Sequence, residues 1–217
     1  MWQVIRDQFT FFREFRHKFQ TTGAIAPSSS FLAQSMTSYF ADRNTETPVR
    51  ILEIGPGTGP VTDRIIRSLG RNDTFDLVEL NENFADRLQQ RFSTDERWKP
   101  FAGISSIHRV PLQEYHCSAG YDFIISGLPL NNFPADLVRS LTERYFELLN
   151  PGGVLSYFEY MYVRPIRMKI TRGPERDRIS QIDEIMSTWC RRYRIRRDSI
   201  LLNIPPAWVQ HLQTPCK

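Results

Sequence analysis

The chain predicts an α/β fold built on a doubly wound, mainly parallel sheet. Two observations carry this: apolar runs of strand length alternate with segments whose apolar residues recur three and four apart, and a glycine-rich turn joins the first run to the first helical segment. No internal repeat or low-complexity tract interrupts the alternation. With 217 residues, 41% of them apolar and 24% charged, the chain can bury one ordinary core and carry a terminal arm beside it.

The arm comes first. In "MWQVIRDQFTFFREFRHKF", Trp2, Ile5, Phe9, Phe12, Phe15 and Phe19 form one stripe of a helix over residues 1–20, with Arg6, Arg13, Arg16 and Lys18 mostly off it. Such a helix either packs on the sheet or lies in a membrane interface, rings below the headgroups and bases drawn to anionic lipid. Residues 21–217 make the remaining domain. Strands are expected at "VRILEIG" (49–55), "TFDLVEL" (74–80), "ISSIHRV" (104–110), "YDFIISG" (121–127) and "GGVLSYFEY" (152–160). Helices fall between them at "PVTDRIIRSL", "ENFADRLQQRF" and "PADLVRSLTERYFELL". Pro60 suits the first turn of the first of these, and Gly70 its C-terminal cap. Beyond residue 160 the pattern predicts a basic loop, a helix near "RISQIDEIMSTWCRRY", and two strands within "YRIRRDSILLNIPPAWVQHLQ" that supply an antiparallel edge.

Charge and cysteine usage narrow the partners. An excess of 28 Lys and Arg over 24 Asp and Glu gives +4 and a pI near 9.1, which favours an anionic partner and leaves nucleic acid and lipid surface both open. Cys117, Cys190 and Cys216 are far apart, without a C-x-x-C pair or a His at ligand spacing, so the expectation is neither disulfide framework nor metal site, in a reducing cytosol. No uninterrupted apolar run reaches the ~20 residues of a membrane span, and charges throughout the first twenty residues argue against a signal peptide.

The chemistry begins at "ILEIGPGTG". Glu53 near the end of the first strand is followed by Gly55, Gly57 and Gly59, a series that lets backbone turn tightly against a ligand. Glu79 ends the second strand, where a carboxylate can accept both hydroxyls of a ribose. Together they predict a nucleoside cofactor. The E-x-G-x-G-x-G order differs from a dinucleotide fingerprint and resembles the S-adenosylmethionine site of class I methyltransferases, whose sheet is Rossmann-like and seven-stranded. That resemblance covers about residues 20 to 160 and implies that the glycine loop and Ser126 contact the cofactor while Glu79 holds its ribose. The acidic residue that the family often carries after the third strand is absent from "HRVPLQEY", which leaves adenine to backbone near Leu112 or to Gln113.

In that family the turn after the fourth strand faces the methyl acceptor; here it is "SGLPL". Enzymes that methylate the exocyclic amine of adenine carry Asn or Asp and an aromatic ring at this turn, but this chain has Gly127 and Leu130 there, with Leu128 and Pro129 between. Three stretches instead resemble the bacterial phospholipid N-methyltransferases: "TTGAIAPSSSFLAQSM", the glycine loop with "SGLPL", and "LLNIPPAWV". This resemblance implies S-adenosylmethionine as cofactor, with Thr22, Gly23 and Ser28 over its methionine end. It also implies Gly127, Leu128 and Pro129 at the acceptor, and an aminolipid headgroup, phosphatidylethanolamine or ornithine lipid, as substrate.

A protonated alkylamine is no nucleophile, so the site must remove or destabilise its proton. Tyr160 is the candidate to orient the amine, with Glu159 as alternative base, although adjacent strand residues face opposite ways. Phe158 offers cation–π contact to a methylated ammonium, against the plainer reading of a packed core strand. Arg164, Arg167, Lys169 and Arg172 are candidates for a headgroup phosphate or carboxylate, or form a solvated basic loop. His108 and His116 read as structural. The expectation is thus a cytoplasmic enzyme held peripherally on the anionic inner face of the cell membrane. The alternatives are an RNA adenine N-methyltransferase, favoured by pI and opposed by the turn, and a cofactor-binding protein without catalysis.

Overall fold

The computed structural model describes residues 30 to 216, so the expected arm over 1–20, the boundary after it, and Thr22, Gly23 and Ser28 lie outside the described residues. Seven strands form one sheet in the order β3-β2-β1-β4-β5-β7-β6. They are β1 (Arg50–Ile54), β2 (Thr74–Val78), β3 (Ser105–His108), β4 (Tyr121–Ser126), β5 (Leu149–Tyr160), β6 (Arg194–Ile200) and β7 (Ala207–Gln213). Neighbours from β3 through β5 pair in parallel. The chain order steps outward from β1 to β3, then returns to β4 on the other side of β1, which opens a crevice at the carboxyl ends of β1 and β4 where such sheets bind ligands.

Helices cover both faces: α1 (Ser30–Met36), α2 (Ser38–Ala41), α3 (Pro60–Ile66), α4 (Glu82–Thr94), α5 (Ala135–Leu148), α6 (Val163–Ile170) and α7 (Pro174–Tyr193). Period two along β1 decides which side chain goes where. Ile51 packs with Leu32 and Met36 of α1, Ile65 of α3 and Leu88 of α4, whereas Leu52 and Ile54 pack with Val138 and Leu141 of α5 and Ile182 of α7.

Two expectations are corrected. The basic stretch after β5 is a helix, α6, rather than a loop: Pro165 falls in its first turn, where a missing N–H costs no intrahelical bond, and Ile166 and Ile170 stand one turn apart. The two late strands do supply the expected antiparallel edge. β7 inserts between β5 and β6 and pairs antiparallel with both, so both ladders of its backbone groups are used and β6 becomes the rim. Gly70 does not cap α3, which ends at Ile66 with Arg67 in right-handed conformation; the Gly70 amide instead donates to Asp73 Oδ2 at 2.7 Å.

Candidate active site

The crevice is built by backbone approach. Gly55 N donates to Val78 O at 2.9 Å and Gly127 N to Ile54 O at 2.8 Å, so the end of β1 is tied to β2 on one side and to the turn after β4 on the other. Gly55, Gly57 and Gly59 all have positive φ, of 67°, 61° and 88°. Gly127 is required for another reason: a Cβ there would lie 2.8 Å from Gly55 O, closer than side-chain carbons approach a carbonyl. The glycine in this turn therefore permits the close contact between the two loops.

Glu79 is fully buried. Its Oε2 accepts from Gly57 N and its Oε1 from Asn81 N, each at 2.9 Å, so the carboxylate joins the glycine loop to the start of α4. Glu53, also buried, lies on the α3 face, where Thr62 Oγ1 donates to its Oε2 at 2.7 Å; burial pushes its carboxyl up to about 8. Between the ends of β1, β2 and β3 runs a largely apolar cleft lined by Gly55, Glu79, Leu80, Leu112, Gln113 and Leu128 among others. Its shelf is the short 3-10 turn Leu112–Glu114. Tyr115 anchors that shelf by hydroxyl contact with Tyr121, whose OH donates to Asp76 Oδ2 at 2.8 Å. His108 Nε2 reaches Asp76 Oδ1 at 2.7 Å, which gives that histidine a structural partner. Nothing in local sequence marks Asp76, Tyr115 and Tyr121 as a set, because three different elements bring them together.

The "SGLPL" turn divides two spaces. Leu128 lines the cleft just described, whereas Pro129, Leu130, Asn131 and Asn132 line a smaller pocket with Tyr157, Phe158, Glu159, Tyr160 and Met186. Ser126, expected at the cofactor, is fully buried and shares its hydroxyl with Tyr145 of α5 at 2.8 Å. Arg178 Nη1 donates to Phe133 O at 2.6 Å and Arg167 Nη1 to Asn131 O at 3.5 Å, so two guanidiniums fasten the far side of the turn. Arg178, Asn131, Asn132 and Met186 are contributions that local pattern did not single out.

At the end of β5, Phe158 and Tyr160 pack edge to face at 5.3 Å on the α1 side of the sheet. Burial pushes the Tyr160 hydroxyl up to about 12, so it stays protonated at neutral pH. Glu159 is committed elsewhere: it forms an ion pair with Arg164, and its Oε1 accepts from Gln210 Nε2 at 2.6 Å. Arg164 also faces Asp183 at 3.3 Å, and Arg167 pairs with Glu175. These two arginines are turned toward protein carboxylates, whereas Lys169 and Arg172 are exposed.

No family model matches the chain. An ornithine lipid N-methyltransferase of Singulisphaera acidiphila is 27% identical over 158 residues, 72% of this chain and 80% of that protein. A polyketide synthase-nonribosomal peptide synthetase of Phaeosphaeria nodorum is 28% identical over 129 residues, which are 58% of this chain and only 3% of that protein. Among solved structures, the O-methyltransferase of Bacillus cereus in complex with S-adenosylhomocysteine superposes with a TM-score of 0.61 at 16% identity, covering 94% of this chain and 91% of that one. The chain thus has the fold of class I S-adenosylmethionine-dependent methyltransferases, and its sequence is similar to that of the ornithine lipid enzyme.

Proposed function

We propose that the protein methylates the amine of a membrane aminolipid headgroup, phosphatidylethanolamine or ornithine lipid. The observation that carries this reading is the partition made by "SGLPL": one apolar cleft beside Glu79 and the glycine loop, and next to it a small pocket rimmed by Tyr157, Phe158 and Tyr160. The cleft suits S-adenosylmethionine, because the Glu79 carboxylate stands in its wall as an acceptor for ribose hydroxyls, and Leu80, Leu112 and Leu128 offer apolar surface to adenine. When bound, that cofactor supplies an electrophilic methyl on sulfonium. Thr22, Gly23 and Ser28 are assigned to its methionine end by resemblance alone.

The pocket suits a small alkylammonium. Its rings attract a cation, and its apolar walls make a charged amine costly, which lowers the amine's affinity for its proton and frees the lone pair. Tyr160, protonated, orients that amine by accepting an N–H bond through its hydroxyl oxygen. Glu159, bound by Arg164 and Gln210, acts through the shape of the pocket and is not the base in this reading. With the cofactor bound, its methyl would transfer from sulfur to that lone pair, leaving a neutral thioether, and the amine's displaced proton would leave to solvent. The 27% identity with an ornithine lipid enzyme supports the same substrate class.

The test is to incubate the full chain with methyl-labelled S-adenosylmethionine and, separately, vesicles of phosphatidylethanolamine, vesicles of ornithine lipid, and total RNA. Label is expected in one or both lipids. Label in RNA alone overturns the proposal.

A further inference from the structure

Three of the most exposed large apolar side chains among the described residues lie in one six-residue connection. Leu201 and Leu202 are each 71% exposed and Ile204 is 81% exposed, in the loop between β6 and β7. Isolated exposed leucines are ordinary, but three within four residues on a loop tip are not what folding alone selects. Asn203 between them is buried and donates from Nδ2 to Pro205 O at 2.6 Å, which holds the loop in a defined shape with its aliphatic groups outward.

The position of this loop matters more than its composition. β7 begins at Ala207, which pairs with Tyr160 at the carboxyl end of β5, so the loop stands at the same end of the sheet as the glycine loop and the acceptor pocket. Met161 N donates to Pro206 O at 2.8 Å, and Tyr162 packs against Trp208 at 5.7 Å. The loop is thus fastened beside the start of α6, whose own outward residues are Tyr162 at its N-cap, Ile166 and Ile170, exposed by 59%, 54% and 73%. From Met161 to Gly173 the chain has no acidic residue. Arg164 and Arg167 are paired with protein carboxylates, while Lys169 and Arg172 are exposed beside the apolar groups.

We infer that the β6–β7 loop is a membrane-inserting wedge, with Leu201, Leu202 and Ile204 entering the acyl boundary of an anionic bilayer and Lys169 and Arg172 meeting its headgroups. This rests on the reading of the substrate as a lipid and adds which face of the protein meets it. Aliphatic side chains flanked by cations match the interface of a bilayer, where apolar burial and attraction to anionic lipid act together. A wedge at the acceptor end also explains how a headgroup that never leaves the membrane reaches Tyr160: the pocket mouth is brought down to it. The wedge is separate in sequence from the aromatic stripe of residues 1–20.

Two measurements test it on the full chain. The first is hydrogen–deuterium exchange with and without vesicles of phosphatidylcholine and phosphatidylglycerol, read in peptides spanning 199–207. Slower exchange there on binding is expected. Unchanged exchange in that segment, while the protein sediments with the vesicles, overturns the inference. The second compares the parent with Leu201→Asp/Leu202→Asp on vesicle-embedded phosphatidylethanolamine and on a short-chain phosphatidylethanolamine kept monomeric. Turnover on vesicles should fall by at least ~10-fold, with turnover of the monomeric lipid unchanged, since only apolar insertion is lost. An unaltered vesicle rate overturns the wedge. A parent that methylates neither form of aminolipid defeats the functional reading, and the exchange measurement still judges the surface. A parent that self-associates through the loop, with the double mutant monomeric and no vesicle protection, assigns the patch to a second copy of the chain and also overturns the inference.

Discussion

The two halves of the proposed catalytic rim are made in opposite ways. The half assigned to the cofactor, at the ends of β1 and β2, is held through backbone amides: Gly55 to Val78 O, Gly127 to Ile54 O, and Gly57 to the Glu79 carboxylate. The acceptor half, at the ends of β5 and β7, is held by side chains from distant segments: Glu159 with Arg164 and Gln210, Arg178 with the turn carbonyls, Tyr162 with Trp208. A backbone-built site tolerates few changes and suits a ligand that does not vary. A site built from side-chain pairs can be reshaped one residue at a time, and the acceptor is where methyltransferases of one fold differ from each other.

The sharpest break in this comparison is Glu159→Ala. If the acceptor half depends on its ion pair, removing the carboxylate leaves Arg164 buried with Asp183 alone and should cost about 3–5 kcal/mol in urea denaturation. The double substitution Glu159→Gln/Arg164→Met should recover most of that. A Glu159→Ala protein of normal stability that has lost turnover would instead place Glu159 in the chemistry.

Next in size is Glu79→Ala, expected to weaken S-adenosylmethionine binding by about 1.5–3 kcal/mol in calorimetry, as for a charge-assisted hydrogen bond. The melting temperature of the ligand-free protein should fall as well, because Gly57 N and Asn81 N lose their acceptor. Loss of affinity without loss of stability would mean that the carboxylate serves the ligand and not the loop.

Gly127→Ala sharpens the comparison by touching both halves. The added methyl meets Gly55 O, so overpacking of about 1–3 kcal/mol should appear as weaker cofactor binding, with Asn no worse than Ala at the first contact. Normal cofactor affinity combined with lost lipid turnover would instead place Gly127 at the acceptor.

The smallest effect is a slope. Burial raises Glu53, in the cofactor half, from 4.5 to about 8, and lowers His211, in the acceptor half, from 6.5 to about 4. The folded chain keeps a proton on Glu53 that the unfolded chain releases, so that contribution is full below 4.5 and is lost as pH rises to about 8. His211, held neutral between Ser156 and Asp198, does the reverse: its contribution is full above 6.5 and is lost as pH falls to about 4. The two oppose each other below 6.5, and above it Glu53 acts alone. Glu53→Gln should therefore remove a decline of up to ~1.4 kcal/mol per pH unit between pH 7 and 8, measured by denaturation across that range.

What the sequence by itself determined is the sheet, its parallel order of strands, and the glycine loop with its two carboxylates, because period-two and period-3.6 patterns and positive-φ glycines are local properties of the chain. The helix at Val163–Ile170 escaped because Pro165 and a run of bases hide its short period, although both are compatible with a first turn. Only the tertiary structure decided where the charges of the acceptor half go. Arg164 and Arg167, free by sequence, are taken by Glu159 and Glu175, and the Ser126 hydroxyl is taken by Tyr145. Only it, too, carried Leu201, Leu202 and Ile204 to the carboxyl end of β5, since strand pairing across forty-seven residues between Tyr160 and Ala207 is a long-range contact that no local pattern encodes.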